Sequence, residues 1–302
     1  MQENSYTYLP PETLDTLKNV EFVARSLVEG AMLGLHRSPY RGFSSEFAEY
    51  RKYSPGDNVK YIDWKTYARS DRYYIKCFNE ETNLNSYILL DTSGSMAMAG
   101  AAKAKCPAKF NYACYLAAAF MYLAHKQRDA FSLLTWSEKP GEFTGCSNSL
   151  SHLGTMLKHL EALKPSGISN AAFSLSKIAE HIPRRSLVLV FSDFLEHGTD
   201  FLRSLHQLTF KQCEVILFQI LNADELAFPY KGLIKFQDLE TGETMELEGE
   251  ACREQYLSAL EKYNSEIKGF CDQHRIAFEK LTTEAPFERA LAAYFSKREV
   301  LF

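Results

Sequence analysis

Four short runs of almost unbroken apolar, β-prone residues, each followed by a helical stretch, constrain this chain more than any other feature. They are Tyr87 to Leu90, Ala130 to Trp136, Ser186 to Phe191 and Glu214 to Leu221. A run such as Ser-Leu-Val-Leu-Val-Phe has no polar face, so both of its sides must be covered. Phe110 to Lys126, Leu150 to Leu163, Asn170 to His181 and Phe201 to Phe210 read as the intervening helices. The first of these is apolar nearly all round and should be well buried. Strands alternating with helices predict a mostly parallel sheet in an α/β fold.

The flanks are less regular. A helix is expected over Pro11 to Met32, then an irregular, aromatic and charged segment from Gly34 to Glu80. Beyond the last apolar run, Lys231 to Glu248 looks like a hairpin with Thr241-Gly242 at its turn. Phe236, Leu239, Met245 and Leu247 are its candidate packed positions. Helix Glu254 to His274, strand Ala277 to Leu281 and helix Phe287 to Lys297 complete the expected order. Residues 224–254 hold nine acidic and three basic residues, which fits a solvated face or an acidic docking surface.

With 46% apolar and 24% charged residues and a net charge of −4 over 302 residues, the chain is globular and not disordered. The seven cysteines are scattered, odd in number and without a Cys-x-x-Cys, which excludes a disulfide framework and a zinc ribbon. Cys271-x-x-His274 is a lone pair in an expected helix and reads as a packed face. No basic-then-apolar leader opens the sequence. The longest apolar run, Tyr112 to Ala124, falls short of the about 20 residues that span a bilayer. A cytoplasmic location without a membrane span is the expectation.

The sharpest chemical signal follows the first apolar run, as Asp91-Thr92-Ser93-Gly94-Ser95. Ligands of open α/β sheets collect beyond the carboxyl ends of strands. The loop puts one carboxylate and two hydroxyls there. Ser192-Asp193 ends another strand, and Ser169 opens an expected helix. Oxygen donors suit Mg²⁺, Mn²⁺ or Ca²⁺ better than zinc. Each of these residues also has a plainer reading as a turn or helix cap.

Asp91-x-Ser93-x-Ser95, Ser169 and Asp193 together resemble the metal-ion-dependent adhesion site (MIDAS) of von Willebrand factor A (vWA) domains, over about residues 85–300. Those domains usually carry Thr where this chain has Ser169. The resemblance implies a Rossmann-like fold in which Ser93, Ser95 and Ser169 touch the metal directly. Asp91 and Asp193 would then act through water, and an open position would accept a partner's carboxylate. Upstream, Gly34-Leu35-His36-Arg37-Ser38, Gly42-Phe43-Ser44-Ser45-Glu46-Phe47, Arg51-Lys52-Tyr53-Ser54-Pro55-Gly56-Asp57, Ile62-Asp63-Trp64 and Ala68-Arg69 occur in order. With Asp193-Phe194 and Glu240-Thr241-Gly242 they resemble the DUF58 family, in its short soluble subgroup. The family is often paired with MoxR-type AAA+ ATPases.

The resemblance implies residues 1–84 as an N-terminal helix and signature segment packed on a vWA-like domain of residues 85–302, with the hairpin as an insertion near 231–248. Arg51, Asp57, Asp63, Trp64 and Arg69 are the signature residues, for partner binding or for structure. The expected function is a metal-dependent protein-interaction module, an adaptor or assembly factor. Its cofactor would be Mg²⁺, with Mn²⁺ or Ca²⁺ as substitutes, and its partner a MoxR-type ATPase or its client presenting an acidic residue. Two other readings stay open. A metal-dependent phosphate-ester hydrolase would need a base beside the site, and only Asp193 and Glu196 stand near in sequence. Residues 36–76 carry nine basic and five acidic residues interleaved with aromatics, a composition that binds single-stranded nucleic acid. No catalytic motif is found: the chain lacks the serine-hydrolase elbow, the P-loop and the dinucleotide fingerprint.

Overall fold

The computed structural model describes residues 7–8, 47–53, 62–70, 72–78, 85–100, 107–196, 198–285 and 291. The helix expected at Pro11 to Met32 lies outside them, as does the one at Phe287 to Lys297 apart from Leu291. The chain divides into two compact units, residues 35–83 and residues 1–34 with 84–302.

In the smaller unit, β1 (Phe47–Lys52) pairs antiparallel with β2 (Tyr74–Phe78), from Phe47↔Phe78 to Lys52↔Tyr74. A short helix, α1 (Trp64–Ser70), lies between them in sequence. Asp63 starts it: its Oδ1 accepts from the N–H groups of Lys65 at 2.9 Å and Thr66 at 3.2 Å. That is the usual work of a helix-capping carboxylate. Tyr67 stacks on Tyr73 with ring centroids 4.4 Å apart. Trp64 and Arg69 are exposed. The sequence reading of this stretch as irregular is therefore corrected. The paired strands are far apart in sequence, and their mixed aromatic and charged residues hide the alternation that marks a strand.

In the larger unit, five parallel strands form one sheet. They are β3 (Asn85–Asp91), β4 (Ala130–Trp136), β5 (Leu187–Ser192), β6 (Glu214–Leu221) and β9 (Ala277–Thr282), in the order β4-β3-β5-β6-β9. Leu89 is level with Leu134 on one side and Val190 on the other, and Val190 with Leu217. Alternate residues point to opposite faces, which splits the interior into two cores. Ile88, Leu90, Phe191 and Phe218 pack with α2 (Lys109–Lys126) and α3 (Leu150–Ala162). Leu89, Val188, Val190 and Leu217 pack with α4 (Ala171–His181), α5 (Phe201–Phe210) and the Ile267–Cys271 face of α7 (Gly249–Gln273). The α/β class with a parallel central sheet flanked by helices is thus as the apolar runs require. No helix among the described residues is long and apolar enough to cross a membrane.

Arg128, Arg185, Gln212 and Arg275 each adopt positive φ, between 58° and 61°, and each stands two residues before a strand of the sheet. The helix-to-strand turns at the amino ends of β4, β5, β6 and β9 are therefore closed by left-handed residues that are not glycine.

After β6 comes a one-turn helix, α6 (Ala223–Ala227), held by a reciprocal capping box between Asn222 and Glu225. The hairpin follows as β7 (Leu233–Gln237) and β8 (Thr244–Glu248), which pair only with each other among the described strands. Phe236 and Leu247 pack as expected: with Phe228, Tyr230 and Tyr256 they line a half-open cavity of about 320 Å³. Leu239 and Met245 do not pack, being 49% and 61% exposed. Met245 pairs with Phe236 and so shares its face of the ribbon, but it does not line that cavity; Leu239 lies in the turn, where strand alternation has ended. Helix α7 begins at Gly249 rather than Glu254; the Gly249 N–H donates to the Gly232 carbonyl at 2.8 Å.

Candidate metal centre at the ends of β3 and β5

Adjacent pairing of β3 and β5 sets their carboxyl ends side by side, and with them Asp91 and Ser192-Asp193. Asp91 is 1% exposed. Its Oδ1 accepts from the Ser93 N–H at 2.9 Å and its Oδ2 from the Ser192 hydroxyl at 2.6 Å. Burial, and then the charge of Asp193, push its carboxyl up to about 7, against the pull of the Ser192 and Ser93 hydrogen bonds. The Ser93 and Ser95 hydroxyls lie 3.1 Å apart, Ser93 just before a single 3₁₀ turn, Gly94–Ala97, and Ser95 within it.

The third loop is tied to this turn through backbone. Gly94 N–H donates to the Gly167 carbonyl and Ser166 N–H to the Thr92 carbonyl, both at 2.8 Å. Gly167 takes φ +81°, a left-handed conformation that suits glycine. Two residues on, Ser169 is held by two carboxylates. Its hydroxyl donates to Glu196 Oε1, and its N–H to Glu240 Oε2 at 3.0 Å. Glu196 also accepts from the Ala171 N–H at 2.9 Å. Burial raises the Glu196 carboxyl above its ordinary value; the hydrogen bonds from Ser169 and Ala171 oppose this, while the Glu240 and Asp193 charges add to it.

Asp193 faces both ways. Its Oδ1 accepts from the Leu195 N–H at 3.1 Å. Its Oδ2 takes the ammonium of Lys109 at 2.6 Å, and the same ammonium reaches Glu225 Oε1 at 2.7 Å. Lys109 is 1% exposed. Burial pulls its ammonium down, but the Asp193 and Glu225 charges outweigh that and hold it above the ordinary lysine value. Gln219 Nε2 braces the Asp193 carbonyl at 3.1 Å and Asn264 Oδ1 at 2.9 Å.

The structure thus joins Asp91, Ser93 and Ser95 in one loop, sets Asp193 beside Asp91, and ties Ser169 in through Gly167. Arg51, Asp63, Trp64 and Arg69 belong to the smaller unit, and Asp57 lies outside the described residues. Lys109 and Glu225 were not anticipated. Nothing local marks them, because they lie 84 and 32 residues from Asp193 in sequence. Glu240 stood in a quoted motif, without a role.

The donor set fits a hard divalent cation. All its donors are oxygens. Among the described residues no three His, Cys, Asp or Glu side chains stand close enough to hold a metal by themselves, so a cation here would need the hydroxyls as well. The mutual repulsion of Asp91 and Asp193 is what a cation between the loops would relieve.

A family model described as "Protein of unknown function DUF58" matches residues 49–266. Uncharacterized proteins of Mycobacterium bovis and Mycobacterium tuberculosis are 23% identical over 261 residues, covering 85% of this chain and 80% of each relative. Among solved structures, the chain is similar to the conserved hypothetical protein BatB of Bacteroides thetaiotaomicron, at 11% identity and a TM-score of 0.46, over 72% of this chain and 100% of that one. It is also similar to the VWA domain of SpRpn10, at 13% identity and a TM-score of 0.40, over 70% and 94%.

Proposed function

This chain belongs to the DUF58 family, and on that premise we propose that it is a metal-dependent protein-interaction module, an adaptor or assembly factor. Asp91, Ser93, Ser95, Ser169 and Asp193 would hold the cation, Mg²⁺ first, with Mn²⁺ or Ca²⁺ as substitutes. When bound, it would offer a coordination position to an acidic side chain and so make docking conditional on metal. The observation that carries this reading is Asp91: a carboxylate 1% exposed, immobilised by two hydrogen bonds, next to a second carboxylate and two hydroxyls. A merely structural turn has no need to bury a charge against another of the same sign.

The remaining residues are suited to hold this set rigid. The Ser192 hydroxyl and the Ser93 N–H fix both Asp91 oxygens. Lys109 fixes one Asp193 oxygen and leaves the other carboxylate edge toward Leu195. Glu196 orients the Ser169 hydroxyl. Rigid donors lower the ordering cost of taking up an ion. The partner class that the sequence resemblance implies is a MoxR-type AAA+ ATPase. Two measurements test the reading. Mn²⁺ titration followed by electron paramagnetic resonance should show one tight site, lost in Ser93→Ala. A purified MoxR-type ATPase should be captured in Mg²⁺ and released in EDTA, and not captured by Asp91→Ala. Capture unchanged in EDTA would refute the metal bridge; no capture in either condition would refute that partner.

A further inference from the structure

We propose that the chain carries its own occupant for this crevice: the β7–β8 turn sits over the hydroxyl-bearing loops and presents Glu240 as the carboxylate that closes the site. An acidic side chain from a partner would then dock only when the turn leaves. This rests on the metal reading above and names how that site is regulated.

Three observations place the turn there. Glu240 Oε2 accepts from the Ser169 N–H at 3.0 Å, across 71 residues of sequence. Among the described residues its other oxygen has no hydrogen-bond donor. Second, the Leu239 carbonyl lies directly over Gly94, between the two serines of the Asp-x-Ser-x-Ser loop. A side-chain carbon on Gly94 would collide with that carbonyl oxygen and would also come within 3.2 Å of the Gly167 carbonyl oxygen. Turn, first loop and third loop thus meet at one point, and glycine is the residue that permits it. Third, the turn is built to hold its shape. Asp238 Oδ1 accepts from the Glu240 N–H at 2.8 Å and the Thr241 N–H at 3.3 Å, and its Oδ2 from the Thr241 hydroxyl at 2.9 Å. Gly242, at φ +76°, closes the turn with its N–H on the Asp238 carbonyl at 2.9 Å. Glu240 is therefore aimed before any ion arrives.

The contact is also made to be reversible. Among the described residues one hydrogen bond, from the Ser169 N–H, ties the turn to the loops, and the ladder behind it belongs to β7 and β8 alone. Lifting the turn breaks no hydrogen bond of the five-stranded sheet. Without a cation, Glu240 adds a negative charge beside Glu196, and that repulsion favours leaving. With one, the same charge favours staying.

The test uses the full chain with Mn²⁺ as probe. Affinity comes from electron paramagnetic resonance, and the number of waters on the ion from water-proton relaxation. Glu240→Gln keeps an acceptor for the Ser169 N–H and removes the charge. It should weaken Mn²⁺ binding by about 10-fold or more and add about one inner water. Acetate should then displace that water in the variant at concentrations that leave the unaltered chain unchanged. Glu240→Ala should do the same, with unchanged circular dichroism. Equal affinity and equal hydration in all three proteins would overturn the proposal while leaving the metal site standing. Failure of the unaltered chain to bind Mn²⁺ would overturn the metal reading itself, and this one with it.

Discussion

Replacing Lys109 by methionine tests how the site is held together. Methionine keeps most of the apolar stem and removes the ammonium, leaving Asp193 and Glu225 buried with no counter-charge from this residue. The three side chains are 1%, 4% and 7% exposed, and the contacts are 2.6 and 2.7 Å long. Breaking a buried pair by removing one partner typically costs about 3–5 kcal/mol. Two carboxylates depend on this one cation, so the upper half of that range is expected. Against a total stability of about 5–15 kcal/mol this is a large share. It corresponds to a fall in Tm of roughly 10 °C. Urea unfolding followed by circular dichroism, in EDTA at pH 8, measures it. Lys109→Met/Glu225→Gln should recover part of the loss, since one orphaned charge is gone. The single variant should also suffer less at pH 5, because burial raises the Glu225 carboxyl and the orphaned group can take up a proton. A loss below about 1 kcal/mol, unchanged between the two pH values, would show that water reaches the cluster and that the ammonium does not hold it.

Two further outcomes follow from the crevice. In EDTA, the Asp91 carboxyl sits at about 7 when folded and near 3.8 when unfolded. Its folded value is raised, so it favours the folded state only while protonated, and stability falls as pH rises from about 4 through about 7. Asp91→Asn should therefore gain on the unaltered chain by up to about 4 kcal/mol between pH 4 and pH 8. Parallel pH profiles in urea unfolding would contradict this. Gly94→Ala should push the Leu239 carbonyl away and loosen the turn at Asp238 to Gly242, at a cost of about 1–3 kcal/mol. Limited proteolysis of that turn should accelerate, and an unchanged cleavage rate would mean that the two loops are not in close contact.

The strands of the large sheet were legible because burial on both faces leaves an unmistakable mark: Leu187 to Ser192 is buried throughout. The ends of β3 and β5 were legible for the same reason, since an apolar run that stops at Asp91 or Ser192-Asp193 announces its own carboxyl end. What escaped was everything set by contact across the fold. Lys109 is one of 34 basic residues, and only the packing of α2 against β5 and α6 shows that its ammonium is enclosed. The exposure of Leu239 and Met245 escaped because a ribbon paired only with itself need not bury alternate residues. The strands β1 and β2 escaped because their partners are distant in sequence and their side chains mix aromatic and charged types.

The four left-handed residues at the opposite end of the sheet carry a different lesson. Arg128, Arg185, Gln212 and Arg275 each hold a conformation that a side chain makes unfavourable by about 1 kcal/mol. Glycine would relieve each of them. These turns precede strands β4, β5, β6 and β9, whereas the crevice lies after β3 and β5, at the other end of the same strands. Natural chains commonly retain such unclaimed stability. Four of the six described non-glycine residues at positive φ lie at this end, whereas Phe194 adjoins Asp193 in the crevice, so the backbone can be eased at the four without altering a donor atom of the candidate site.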